Sequence, residues 1–278
     1  MCIRDRVYSF DGSNGIIGAN LFNGQSAQGN VVEINDAEIQ GSIRGVNATN
    51  PSDEIIQNGI IINGGHFSSS SPLTANISIF GSYVERGTAT ITDNFVHITN
   101  GTFDSKEIAA VSITGGTPTA IDGNIVTIDG GEFIGGTIYG VKAPTSSATS
   151  NNGVIINGGT FLNSVTIYAG NGNSSQSHND FIEINSNDTL DLSNVKLYGS
   201  AYTYLNTLTI NSANNLKIRS INKFEQLTLG GIPWQTENPA ISIYSDAQFK
   251  NLSINSENGF VLSADQTIST GDRMTLIR

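Results

Sequence analysis

Cysteine is nearly missing: the 278 residues include one, Cys2. A single thiol cannot close a disulfide within the chain or build a thiolate metal site. Charge is scarce as well. Asp, Glu, Lys and Arg make up 13% of the residues, about half of the ~25% usual in globular domains. What charge there is leans acidic, to a formal net of -11. Such a chain repels phosphate backbones and anionic lipid, which argues against nucleic acid as a partner. No run approaches the ~20 apolar residues of a membrane-spanning helix, so no membrane insertion by this segment is expected. No segment sustains a 3.6-residue apolar period, so helices are not expected either.

What fills the gap is Gly, Asn, Ser and Thr, set around regularly spaced Ile and Val. That mix has too many turn formers for a helical protein and too regular an apolar pattern for a disordered one. The opening, Met1-Cys2-Ile3-Arg4-Asp5-Arg6, resembles a translated sequencing adaptor. Residues 1–6 are therefore expected to be a non-native scar, with Cys2 part of it and the natural N-terminus missing.

One unit recurs along the chain. It reads NGIIINGGHF at 58–67, NFVHITNGTF at 94–103, NIVTIDGGEF at 124–133 and NGVIINGGTF at 152–161. Weaker copies begin at Asn30, Asp180 and Asn206, and fainter ones hold Leu227-Thr228-Leu229 and Leu252-Ser253-Ile254. A second apolar-polar-apolar run follows most copies: Ile77-Ser78-Ile79-Phe80-Gly81, Val111-Ser112-Ile113-Thr114-Gly115, Val165-Thr166-Ile167-Tyr168-Ala169, Val195-Lys196-Leu197-Tyr198-Gly199 and Ile241-Ser242-Ile243-Tyr244. Gly136-Thr137-Ile138-Tyr139-Gly140 keeps only the second apolar residue.

Alternation over four or five positions is the period of a strand with one buried face. Each run is too short to be stable alone. Copies stacked at a repeat near 28 residues would pair backbone to backbone and bury one continuous core. The expected fold is all-β: a right-handed parallel β-helix, one solenoid over 7–278, most regular at 30–199 and less so at 200–278. Val32, Ile60, Val96, Val126, Val154 and Ile182 should form one inward column, and Ile34, Ile62, Ile98, Ile128, Ile156 and Ile184 the next. Phe67, Phe103, Phe133 and Phe161 should stack after a turn that needs positive φ at Gly65, Gly101, Gly131 and Gly159. The Asn column should line a corner and satisfy turn backbone groups. Insertions such as 68–73, 143–152 and 170–178 are polar and expected as exposed loops.

The paired unit, Asn-x-Val-x-Ile-x-Gly-Gly-x-Phe followed by Ile-Tyr-Gly, resembles the repeats of bacterial autotransporter passengers, best at 124–140 and 152–170. The ending Ile268-Ser-Thr-Gly271-Asp-Arg-Met-Thr-Leu-Ile277 resembles a segment found late in such passengers. The second glycine after Ile-Tyr is usually missing here, a departure from the pattern. The resemblance implies an exported stalk at the cell surface, reached through the outer membrane. It also implies a separate C-terminal membrane barrel in the full-length protein, and host-cell or matrix glycans or proteins as partners.

Chemistry-bearing residues are few. His66, His97 and His178 fall at different repeat positions and match no zinc spacing, so neither a metal site nor a cofactor is expected. A carbohydrate-active β-helix, a polysaccharide lyase or hydrolase, is the alternative reading; it would gather carboxylates beside a base on one sheet. The candidates are Asp104 and Glu107 with Lys106 between them, and Asp129 and Glu132 one coil on. A ligand-free surface-layer or phage-tail stalk is a third class. The expectation is a structural or adhesive stalk, not an enzyme. If Ile138, Ile167, Leu197 and Ile243 point inward, then Tyr139, Tyr168, Tyr198 and Tyr244 point outward, with Phe80 in the same column. Thr114 and Arg219 would interrupt that column. These five aromatic residues are the candidate ligand-binding ladder, able to stack on sugars or anchor a partner.

Overall fold

The structure, a computed structural model, describes residues 2–3, 15–68, 77–104, 107–143, 148–172, 178–185, 190–200, 205–211, 216–230, 241–245 and 247–255. It is a parallel β-solenoid of about 6 turns, with coils of roughly 29 residues. Four ribbons of strands run along it. The first holds Val31–Ile34, Gly59–Ile62, Phe95–Ile98, Ile125–Ile128, Gly153–Ile156, Phe181–Asn185 and Thr207–Asn211, all parallel. The expected columns are in register: Val32–Ile60–Val96–Val126–Val154–Ile182, and Ile34–Ile62–Ile98–Ile128–Ile156–Ile184. The fainter copies join them, with Leu208 opposite Leu227 and Leu227 opposite Leu252.

A second ribbon carries two-residue strands, from Glu38–Ile39 to Thr160–Phe161. Phe67, Phe103, Phe133 and Phe161 stack within it at 4.8, 5.0 and 5.0 Å between centroids. Gly65, Gly101, Gly131 and Gly159 all have φ between 98° and 129°, a region side chains avoid. The insertion near 68–73 lies outside the described residues beyond Ser68, as do Lys106 and 268–277.

The third ribbon contains the long strands Ile16–Leu21, Ile43–Ala48, Ser78–Val84, Glu107–Ile113, Gly136–Ala143, Val165–Gly172 and Asp191–Tyr198. Here one expectation fails. Val111-Ser112-Ile113 does not lie opposite Ile77–Ile79; Ile79 faces Ile108, and Val111–Ile113 faces Ser82–Val84. The reason is that the long strands from Ile16–Leu21 to Gly136–Ala143 send residues into two cores. Ile43, Ile79, Ile108, Ile138 and Ile167 enter a main core, while Val46, Val84, Val111, Ile113 and Val141 enter a second, smaller one. The two runs look alike in sequence, and Glu107-Ile108-Ala109-Ala110 conceals the first of them.

The second core is closed by a fourth ribbon that no periodicity reveals: Ala27–Gln28, Glu54–Ile56, Thr90–Thr92 and Ala120–Asp122. These strands are too short for a period, yet Ile55, Ile91 and Ile121 are buried. Between the cores the long strands press on the first ribbon. A Cβ on Gly45 would lie 2.7 Å from Gly59 O, and one on Gly140 would lie 2.6 Å from Gly153 N. This contact explains the glycine of Ile-Tyr-Gly. Ala110 and Ala169 are the largest residues in that column opposite Gly81 and Gly140.

Candidate functional site

The outer face of the long-strand ribbon carries the aromatic column. Its register runs Ile17, Arg44, Phe80, Ala109, Tyr139, Tyr168, Tyr198, Asn222. The interruptions are therefore Ala109 and Asn222, not Thr114 and Arg219. Tyr139 and Tyr168 stack at 5.1 Å and 9°, and Tyr168 and Tyr198 at 5.0 Å and 24°. Phe80 stacks on Tyr83 of its own strand at 5.9 Å.

Two further expectations are corrected. The ladder is not freely exposed: Phe80 is 4% and Tyr139 9% accessible, in a small outer cluster with Ala109. The coil spacing brings ring onto ring, so the tyrosines cover one another's faces and offer mainly their edges. Tyr244 is 61% exposed but lies outside the column. Its neighbour Ile243 pairs with Ile218, which pairs with Leu192, and the Tyr244 amide donates to Ile218 O. The long strand Leu216–Gly230 shifts register near Ser220, so the place after Tyr198 falls to Asn222.

Cations flank the rings. The Arg44 guanidinium lies 4.0 Å over the Tyr83 ring and donates to Asn47 Oδ1; its burial lowers its pKa. Lys142 Nζ lies 5.8 Å from the Tyr139 ring centre and pairs with Glu107. Burial, with Glu107 adding negative charge nearby, pushes the Tyr139 phenol up to about 12. Burial also raises Tyr168, with Tyr198 adding to the effect.

The candidate carboxylates are kept apart. Glu107 is on a long strand, opposite Thr137. Glu132 is on the second ribbon, between Thr102 and Thr160. Asp129 sits in the turn after the first ribbon, accepting from Asn157 Nδ2 at 2.6 Å and lying 2.6 Å from His97 Nε2. Partial burial acts to raise its pKa, but these two partners outweigh that and hold it low. Asp104 is exposed at the end of its Phe strand. His66 lies on a second-ribbon strand rather than in a turn, and His178 forms a bridge to Ser150. Among the described residues, no three His, Cys, Asp or Glu side chains converge as a metal site.

The most demanding polar feature is internal. Asn58 donates from its backbone N and its Nδ2 to Asn94 Oδ1, both at 3.1 Å. The pattern repeats from Asn94 to Asn124 and from Asn124 to Asn152. Each Nδ2 also reaches a fourth-ribbon carbonyl: Ala27, Ile55, Ile91 or Ile121. These side chains are fully buried, so the ladder satisfies groups that would each cost about 1–3 kcal/mol unpaired.

Asp180 takes the next rung, and the sequence reading missed its burial. Its Oδ1 accepts both Asn152 donors at 3.0 Å, and its Oδ2 accepts from Thr149 Oγ1 at 2.9 Å. Burial raises its pKa, and the hydrogen bonds only partly offset this. Two neighbouring changes accommodate it. Thr149 supplies a hydroxyl one coil after Ile121, and Gly170 replaces Val141 in the column. A Cβ on Gly170 would come within 2.2 Å of Asp180 Oδ2. After Asp180 come Asn206, whose amide donates to Glu225 Oε2 at 2.8 Å, and then Glu225 itself.

Comparison of the chain with family models, with curated proteins and with solved structures gave no match.

Proposed function

We propose that the chain is a segment of a rigid, non-enzymatic stalk, part of an exported surface protein of autotransporter type. The observation that carries this reading is the continuity of the internal ladders. Amide, isoleucine and phenylalanine columns pass from coil to coil through one body. Such a structure transmits length, since every added coil extends the rod by about 4.8 Å. The Asn-x-Val-x-Ile-x-Gly-Gly and Ile-Tyr-Gly repeats support export to the cell surface. Its partners would be glycans or proteins outside the cell, met through loops and through the edges of Tyr168 and Tyr198. Repeated contacts along a rod raise effective concentration without a deep pocket.

The dispersal of Glu107, Asp129 and Glu132 over a long strand, a turn and a second-ribbon strand, the first two held by Lys142 and His97, weighs against a lyase or hydrolase. Incubation of the purified chain with acidic and neutral polysaccharides tests this. No new reducing ends or unsaturated products are expected. Catalytic release of either would overturn the stalk reading.

A further inference from the structure

With a single cysteine, Cys2, the rod has no disulfide with which to tie one coil to the next. We propose that Tyr168 and Tyr198 form a dityrosine site, at which a peroxidase-class one-electron oxidant joins adjacent coils through a carbon–carbon bond.

Three observations converge on this pair. The strands are parallel and in register, with Tyr168 directly opposite Tyr198, so the two rings leave the backbone at matching places one coil apart. The centroids are 5.0 Å apart, and the rings are already inclined by 24°, more than the 9° between Tyr139 and Tyr168. Both rings are partly exposed. The residue beyond Tyr198 is Asn222, whose Nδ2 is turned to Ser220 Oγ. Among the described residues, no third ring stacks on Tyr198 from that side.

The chemistry balances without any group from the protein beyond the two phenols. Each phenol loses one electron and its phenolic proton, leaving a phenoxyl radical with spin on the ring carbons ortho to oxygen. The two ortho carbons couple. Each then gives up its hydrogen by tautomerisation, restoring both phenols. The protein loses two hydrogen atoms, and one hydrogen peroxide takes up two electrons and two protons to become two waters.

The other described tyrosines are less suited. Tyr139 is 9% accessible and its phenol is held up at about 12, so it is shielded and loses its proton reluctantly. Tyr83 faces Phe80 and lies beneath Arg44. Tyr244 is exposed but stands outside the column.

The test treats the full chain, at a concentration that keeps it monomeric, with a peroxidase and hydrogen peroxide. The expected product is a monomer lighter by two hydrogens, with dityrosine fluorescence. Lys196 lies between the two tyrosines, so trypsin separates them unless they are joined, and a linked Tyr168–Tyr198 peptide identifies the bond. The cross-link closes a loop in the unfolded chain, so the urea midpoint should rise. Tyr168→Phe and Tyr198→Phe keep the ring stack and the strand circular dichroism and should each abolish the product. Tyr139→Phe should leave its yield unchanged. The proposal is overturned if folded wild type forms no intramolecular dityrosine, if coupling joins only separate chains, or if the bond maps to another pair.

Discussion

Asp180 and Asp129 are both carboxylates near the first ribbon, and they titrate in opposite senses. Asp180 is buried, and its pKa is raised above the unfolded value. The stability linked to its protonated form is complete below the ordinary carboxylate range and is lost as pH rises through the folded-state pKa. Replacing it with Asn keeps the acceptor for Asn152 and removes the buried charge. Asp180→Asn should therefore be more stable than wild type to urea at neutral pH, and the gap should close on acidification. A variant less stable at neutral pH would show that the Thr149 bond outweighs the burial of charge. Asp129 is depressed by His97 and Asn157, so its contribution is present above the unfolded value and fades as pH falls. It is well exposed and screened by solvent.

Asn124 shows the cost of breaking a rung. Asn124→Ala strands the buried backbone N–H of Asn94, whose Nδ2 keeps Ile55 O and Thr92 O, and removes the bonds to Ile91 O and Asn152 Oδ1. At about 1–3 kcal/mol for each buried group left unpaired, a loss of several kcal/mol is expected in chemical denaturation. The exposed Asn157, which bonds Asp129 at the turn, should tolerate the same change with a loss of about 1 kcal/mol or less. Equal losses at the two positions would remove burial as the reason the internal ladder matters.

At the level of the strand, the two-residue Phe ribbon depends on its neighbours. A pair such as Glu132–Phe133 has no sheet of its own; it is held by the strands above and below and by rings stacked at 5.0 Å on both sides. Phe133→Ala should cost roughly 3–5 kcal/mol, from lost burial plus the cavity left behind. Thermal or urea unfolding measures this directly. The long strands fail differently. In the Ile-Tyr-Gly segment the glycine is the point where two ribbons touch, and Gly140→Val would push a side chain into Gly153 N and Ala169 O. That variant should fold poorly. Gly140→Ala already sets a Cβ 2.2 Å from Ala169 O and 2.6 Å from Gly153 N, so it should destabilise as well, though less than valine.

At the level of the rod, a coil is a unit of length. Residues 124–151 run from one Asn rung to just before the next, a step of 28. Deleting them brings Asn94 into line with Asn152 and Phe103 with Phe161, so the amide and phenylalanine ladders reconnect, while Asp180 loses its Thr149 partner and the aromatic column loses Tyr139. The shortened chain should keep its strand spectrum and lose about 4.8 Å in length by small-angle scattering, with stability falling by about one repeat's share. Removing half as many residues would set Ile columns against turns and should abolish the fold. If both deletions fold equally well, in-register stacking is not what holds the molecule together.

Much of this was readable in the chain itself. Asn58, Asn94, Asn124 and Asn152, the Ile and Val columns, the stacked Phe residues and the positive-φ glycines recur in order, because a solenoid repeats its contacts whenever it repeats its residues. Alternation at period two named the buried face, and the spacing of copies set the coil. The second core, the short ribbon of Ile55, Ile91 and Ile121, the true neighbours of Phe80 and Tyr198 and the burial of Asp180 were not readable. Each depends on the path of the backbone between repeats. Three residues are too few to carry a period, two apolar runs in one strand are indistinguishable until their partners are known, and an aspartate is polar in any list. It becomes a buried charge only when Thr149, Asn152 and Gly170, distant in the chain, close around it.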